Sequence, residues 1–485
     1  MKNEKIVLST IAYCQRLKSF RTSAAFMLTT LMLAVAATTG ATAQTFKTLH
    51  SFDGTDGANP MPGLVQATNG NLYGTTYESG PTYGTVFKIT PSGTLTTLHR
   101  FDLTDGGYPG AALVQATDGN LYGTTGVGGA DTDGTVFKIT PSGKLTTLHS
   151  FDGTDGDNPS ALVQATNGNF YGTAVGGGAN DSGTFFKMTT GGTLTTLYNF
   201  CSQSNCTDGT YPNALVQATN GDFYGTTVEG GGHDVGTVFK ITSSGTLTTL
   251  HSFDGTDGRN PGAGLVQATN GDFYGTTLYG GANYNVYCGA NCGTVFKIAP
   301  GGTLTVLYSF CAQSGCTDGR NPSAGLVQAT NGDLYGTAYG GGANDYGTVF
   351  KITPSGTLTT LHSFDGTDGG YPLAVLAQDT NGDLYGTTWA GGTNTEGTVF
   401  SLSVGLGAFV KTQPTSGKVG APVVILGNNL TGSTKVTFNG TAAKFTVASN
   451  SEITTNVPTG ATTGTVDVTT PKGTLKSNVV FRVTK

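Results

Sequence analysis

Pairs of aspartates three residues apart, set among glycines, recur through the chain: Asp53/Asp56, Asp102/Asp105, Asp152/Asp155, Asp254/Asp257 and Asp365/Asp368. Closely spaced carboxylates suit a hard cation such as calcium, which takes about six to eight oxygen ligands. The motif Asp-Gly-Thr-Asp-Gly supplies too few ligand positions for a complete calcium loop. Asp208 and Asp318 also stand alone, where cysteine replaces the first aspartate. An Asx-type turn leading into the following Asn-Pro or Tyr-Pro accounts for the same residues. The plain reading needs no cofactor, with calcium left as the alternative.

Five histidines, His50, His99, His149, His251 and His362, occupy one position of a repeated segment, and Tyr198 and Tyr308 take that position elsewhere. A residue required in most repeats reads as a packing or hydrogen-bonding group rather than a catalytic base. His233, beside Asp234 in a loop of differing sequence, falls outside that pattern. No nucleophile with a placed base and no pair of acids distinct from the repeats emerges, so no catalytic residue is assigned. Apart from Cys14, the cysteines form three close pairs, Cys201/Cys206, Cys288/Cys292 and Cys311/Cys316. Each coincides with residues added to the basic repeat, which reads as a local disulfide stapling a lengthened loop, as an oxidising compartment would allow. A metal site lacks the CxxC pair or nearby histidine it would need.

Aromatic side chains lie in or near the loops of differing sequence, among them Tyr77, Tyr279, Tyr339 and the single tryptophan, Trp389. Exposed rings beside Asn, Asp and Gly could stack on sugars or anchor a protein partner; packing between neighbouring repeats is the alternative. Trp389 is the first candidate, because most repeats carry a small or aliphatic residue there.

The elements that position these groups are copies of one unit, seen at Leu113 to Phe151. Seven copies align on Tyr73, Tyr122, Tyr171, Tyr224, Tyr274, Tyr335 and Tyr385, with steps of 49 to 61 residues. Each divides into four short β-rich runs, such as 112–117, 121–125, 135–140 and 145–151, joined by Asp-Gly or Asn-Gly, a longer Gly-rich loop, and Pro-Ser-Gly. That period predicts propeller blades. The array opens with a lone fourth strand, Phe46 to Phe52, and closes on a third strand, Gly397 to Ser403, that lacks a fourth. The two halves predict a seven-bladed β-propeller closed by its N-terminal strand, over residues 44–404. Propeller geometry places the loops of differing sequence on one face and the short repeated turns on the other, so the variable face is the candidate binding surface.

Residues 1–43 read as a signal peptide: basic residues precede an apolar stretch from Ala24 to Ala37 and a small-x-small site at Ala41-Thr42-Ala43. The stretch is short for a membrane span, and no later segment is long and apolar enough to cross. Losing five basic residues and one acid with that segment takes the net charge from −6 to near −10. With no basic cluster, nucleic acid is not an expected partner.

The units carrying LVQATNGNLYGTT, GTVFKITPSGTLTTLHSF and DGTDG resemble the GloVer-type tandem repeats of exported bacterial proteins, over about residues 45–404. That resemblance implies a secreted or cell-surface protein. After a linker at 405–411, residues 412–485, with PTSGKVGAPVVILGNNL and KVTFNGTAAKF, are similar to IPT/TIG domains, and their alternating strands read as a small Ig-like β-sandwich. The expectation is an all-β binding or adhesion protein, with extracellular polysaccharide or a surface protein as partner. A polysaccharide-degrading enzyme and a structural envelope component are the alternatives.

Overall fold

The computed structural model describes residues 44–484 apart from residue 81. The signal peptide expected over 1–43 lies outside the described residues. The first repeat folds as an antiparallel sheet of Val65–Gln66, Leu72–Thr76, Thr85–Ile89 and Leu95–Arg100, in that order. Further four-stranded sheets begin at Val114, Asp157, Thr210, Val266, Val327 and Ala377, and they are numbered here sheets 2 to 7. The first strand shrinks to two residues in sheets 1, 2, 5, 6 and 7, shorter than the expected run. These five repeats carry one more residue between the proline and the strand than sheets 3 and 4, whose first strands run unbroken through Pro159 and Pro212.

Sheet 7 takes its fourth strand from the other end of the chain. Thr45–Ser51 pairs antiparallel with Thr398–Ser403, Thr45 opposite Ser403 and Ser51 opposite Thr398. The lone N-terminal strand and the incomplete last repeat therefore complete one sheet.

Sheets pack face to face through one recurrent core. The tyrosine of each Tyr-Gly-Thr is at most 2% exposed, and it meets the next sheet, as in the 4.3 Å approach of the Tyr122 and Phe170 ring centroids. The glycine after it is required. A Cβ on Gly74 would lie 2.7 Å from both Phe87 and Leu64. Apolar clusters join each sheet to its successor, and Phe52, Leu64, Leu72, Phe87, Tyr385 and Val399 join sheet 7 to sheet 1.

Glutamines that end the first strands stitch the turn face. Gln115 Oε1 accepts the Thr68 N–H of the preceding sheet at 2.9 Å, and Gln164, Gln217, Gln267 and Gln328 do the same for Thr117, Thr166, Thr219 and Thr269. At the join of sheets 7 and 1, Gln66 accepts from Thr380 at 3.1 Å and donates to the buried Asp379, which stands where six repeats have alanine.

Residues beyond 405 build two further four-stranded sheets, one containing Pro422–Leu426 and Glu452–Asn456, the other Lys435–Phe438 and Val466–Thr470. They enclose Val423, Ile425, Val436, Phe438, Ile453, Val466, Val468 and Phe481. This double layer lies on the turn face. Ser451 Oγ donates to the Thr68 carbonyl at 3.1 Å, Asn428 donates to Thr380 Oγ1 at 3.0 Å, and Gln413 and Arg482 donate to the carbonyls of Gln115 and Thr219. Lys411 Nζ donates to the Gln378 carbonyl at 2.5 Å. Burial pushes Lys411 down to about 8 and pushes Asp379 up, so desolvation outweighs their mutual attraction.

Phe52→Ala is expected to cost about 3–5 kcal/mol, as a fully buried phenylalanine at the closing seam. Denaturant unfolding checks this, and an unchanged midpoint would show that the N-terminal strand does not hold sheets 7 and 1 together.

Candidate functional site

The face opposite the C-terminal layers is built from two loops per repeat. The loop between fourth and first strands opens with the aspartate pair. Asp53 Oδ1 accepts from the Thr55 hydroxyl and the Thr55 and Asp56 amides at 2.6, 2.8 and 3.1 Å. The threonine hydroxyl, with the two amides, holds Asp53 down to about 2, and the corresponding threonine lowers Asp102, Asp152, Asp254 and Asp365. The second aspartate turns the other way. Asp56, Asp105, Asp155, Asp257 and Asp368 accept from Nε2 of His50, His99, His149, His251 and His362 at 2.6–2.7 Å. Tyr198 and Tyr308 donate to Asp208 and Asp318 at 2.7 and 2.8 Å in the two cysteine-bearing loops. The ten aspartates considered for calcium thus all have partners within the chain, in the geometry of a turn and a strand clasp. One motif accounts for both repeating patterns, the histidines and the acids.

The three cysteine pairs are disulfides, Cys201–Cys206, Cys288–Cys292 and Cys311–Cys316. The sulfurs of Cys288, Cys292 and Cys311 lie within 4.8 Å of one another, which brings the lengthened loops of sheets 5 and 6 together. Sequence spacing within one repeat did not reveal that proximity.

The loop then crosses to the preceding sheet. Asn59, Tyr108, Asn158, Tyr211, Asn260, Asn321 and Tyr371 all adopt φ of 52–57° immediately before a proline, a strained backbone for such residues. The return is an inter-sheet hydrogen bond. Their N–H groups reach carbonyls of the neighbouring loop, Asn59 to Glu396, Tyr108 to Tyr83 and Tyr371 to Tyr346, at 2.7–2.8 Å. The proline that follows packs on the glycine closing that loop: a Cβ on Gly397 would come 2.8 Å from Pro60 Cδ.

On this frame the side chains form sectors. Aromatic rings gather over sheets 6, 7, 1 and 2. Trp389 lies 5.9 Å from Tyr77, Tyr77 lies 4.9 Å from Tyr108, and Tyr339 lies 5.0 Å from Tyr371 between centroids. Trp389 and Tyr339 are buried, 9% and 4% exposed, which corrects the expectation that they offer free stacking faces. The Trp389 carbonyl accepts from Asn59 Nδ2 at 2.9 Å and its N–H donates to Tyr371, so its backbone is pinned in the seam. Tyr77 and Tyr279 are half-buried, and His233 and Asp234 are exposed. Asp234 accepts from the Gly230 N–H at 3.1 Å, far along the chain from the aromatic sector.

Acids gather over sheets 2 to 4. Burial, then the charges of Asp133 and Asp181, push Asp157 up to about 6; burial and Asp234 raise Glu229. In sheet 1, a cavity of about 350 Å³ is lined by Gly54, Ala58, Glu78, Gly80, Thr82, Tyr83, Tyr108 and Glu396. The glutamates belong to no repeated pattern. The signal available was their rarity: only Glu4, Glu78, Glu229, Glu396 and Glu452 occur against a much larger number of aspartates, and three of them break the repeat on this face.

The family model described as Gloeobacter/Verrucomicrobia repeat matches residues 36–206, 201–400 and 286–454. Among curated proteins none matches this chain in sequence. A streptogramin B lyase structure superposes with a TM-score of 0.50 at 14% identity, over 74% of this chain and 98% of the lyase. The extracellular domain of a hybrid two-component system from B. thetaiotaomicron gives 0.49 at 11% identity over 89% of this chain, which spans only 57% of that one. That of a one-component system from the same organism gives 0.49 at 12%, over 91% and 58%. At such identities the likeness concerns the fold alone, which is β-propeller-like.

Asp157 holds a proton in the folded chain at a pH where the unfolded chain has lost it, so stability falls as pH rises from about 4 through about 6. Asp157→Asn is expected to raise stability at pH 7 by about 1 kcal/mol, a value discounted for partial exposure. The gain should vanish at pH 3.5. Paired melting curves at the two pH values test it; a gain equal at both would rule out ionisation as the cause.

Proposed function

The chain belongs to the Gloeobacter/Verrucomicrobia repeat family, and from that premise we propose that it is an exported binding protein acting at or beyond the cell surface. In this reading residues 44–404 form a seven-bladed propeller closed by its N-terminal strand. Residues 412–485 form an IPT/TIG-type Ig-like domain, joined by the linker 405–411, and residues 1–43 direct export. Seven four-stranded sheets and the two-layered C-terminal core support this division. The three disulfides support an oxidising compartment. No helix among the described residues is long and apolar enough to cross a membrane.

One observation carries the binding role. The open cavity with Glu78, Glu396, Tyr83 and Tyr108 lies on the loop face, whereas the turn face is occupied by the C-terminal layers. Carboxylates that accept hydrogen bonds from hydroxyl groups, beside tyrosine rings that offer apolar faces, suit a carbohydrate. Tyr77 belongs to the same wall. Trp389 lies against Tyr77, and Tyr339, His233, Asp234 and Tyr279 lie in other sectors of the face.

A second reading draws on the same cavity. Glycoside hydrolysis generally uses two carboxylates flanking the bond to be cut, and Glu78 and Glu396 line one space. The chain from Gln44 onward should be incubated with a panel of soluble polysaccharides, measuring polymer retention and newly formed reducing ends in the same samples. Retention of intact polymer is expected. New chain ends abolished by Glu78→Gln or Glu396→Gln would make it an enzyme, and the absence of both signals would reject a carbohydrate role in favour of a protein partner or a structural one.

A further inference from the structure

The cavity of sheet 1 has a filled counterpart in sheet 6. Ala58 pairs through the backbone with Glu78, and Arg320 pairs with Gly340 at the equivalent place. Arg320 is only 7% exposed. Its guanidinium donates to both Asp345 oxygens at 2.9 and 3.0 Å and lies across Gly340, where a Cβ would be 2.6 Å from the arginine Cζ. Arg259 holds the same position in sheet 5, paired with Tyr279.

The walls of the two niches match ring for ring. In sheet 6, the Tyr346 and Tyr339 rings lie 5.5 and 5.0 Å from that of Tyr371. In sheet 1, Tyr83 and Tyr77 lie 5.6 and 4.9 Å from Tyr108. The same arrangement of three tyrosines therefore recurs in both sheets: in sheet 6 the residue at the position of Ala58 is the buried Arg320, and in sheet 1, where alanine replaces the arginine, there is an open cavity. Thr82 takes the place of Asp345, and the carboxylates come instead from Glu78 and Glu396. No lysine or arginine lines the open cavity, and among the described residues neither glutamate is in an ion pair. Carboxylates and aromatic faces together favour a cation over a neutral group of the same shape.

We propose that the cavity between Glu78, Glu396, Tyr83 and Tyr108 takes the ammonium group of an amino-sugar unit in an extracellular polysaccharide. The inference rests on the carbohydrate-binding reading above and narrows it to a cationic ligand. A volume of about 350 Å³ exceeds what an ammonium or guanidinium group alone fills, and it leaves room for a pyranose ring against the tyrosines.

The test compares retention of the chain from Gln44 onward on a glucosamine polymer, its N-acetylated form and a neutral glucan, with Ala58→Arg and the double variant Glu78→Gln/Glu396→Gln alongside. Ala58→Arg installs the side chain that sheets 5 and 6 carry at this position; unchanged melting curves confirm that both variants fold. The expected result is retention on the glucosamine polymer at least tenfold above the other two, weakened by salt and lost in both variants. Equal retention on all three polymers would overturn the cationic assignment while leaving carbohydrate binding intact. Preferential retention that survives both variants would overturn the site. Retention on none would remove the carbohydrate reading itself, and binding to arginine- or lysine-rich peptides alone would replace it with a protein partner.

Discussion

The contact between one sheet and the next is the constraint on which the rest of the molecule depends. A lone four-stranded sheet leaves a tyrosine, a phenylalanine and several aliphatic side chains on an uncovered face, and only the neighbouring sheet can bury them. Polar groups fix the same contact at both ends. Glutamines that end first strands hold one face, and on the other an asparagine or tyrosine in a strained backbone donates across the seam. The strain is offset by a buried hydrogen bond and by the proline on glycine packing beside it. Each interface is a local fit that must recur around the circuit.

Because main-chain hydrogen bonds hold the loops, their side chains are free to differ. The residue at positions 58, 107, 157, 210, 259, 320 and 370 is in turn Ala, Gly, Asp, Thr, Arg, Arg and Gly, with one backbone role throughout. Arg320 fills its niche with a cation, whereas Arg259 is exposed; Asp157 adds a carboxylate to an acidic sector, and Ala58 leaves space. The scaffold thus holds these loops without depending on which side chain occupies the position. By contrast, the aspartate, histidine and threonine of the repeated clasp are tied to each other and have little scope to vary.

Much of this was readable from the chain itself. Repetition exposed the sheets, their order and the pairing of the two chain ends, since a residue recurring at a fixed step reports a shared environment. The histidines read as repeated packing groups and the aspartates as turn residues, with calcium the alternative for the latter, but their mutual hydrogen bond joins residues six apart that each belonged to a different pattern. Trp389 was judged by its type and loop position, whereas its burial depends on Tyr77 of a repeat more than three hundred residues away. Glu78 and Glu396 are equally distant in sequence, and no periodicity points from one to the other. Asp379 carried a legible signal, the one break in the Gln-Ala-Thr pattern of the turn face, although its counterpart Lys411 lies in a segment without repeats. What repetition conveys is the frame; what departs from it acquires meaning only once folding brings distant repeats side by side.

The pairing of Thr45–Ser51 with Thr398–Ser403 also sets an order of events during synthesis. The strand made first waits for almost the whole array to emerge before it meets its partner, so the longest loop closure comes last. Until then sheet 1 lacks the neighbour that covers Leu64 and Leu72, and an unpaired strand edge is exposed to other chains. Closure of the array is thus a late event, which makes timing as much a part of this architecture as its bonds.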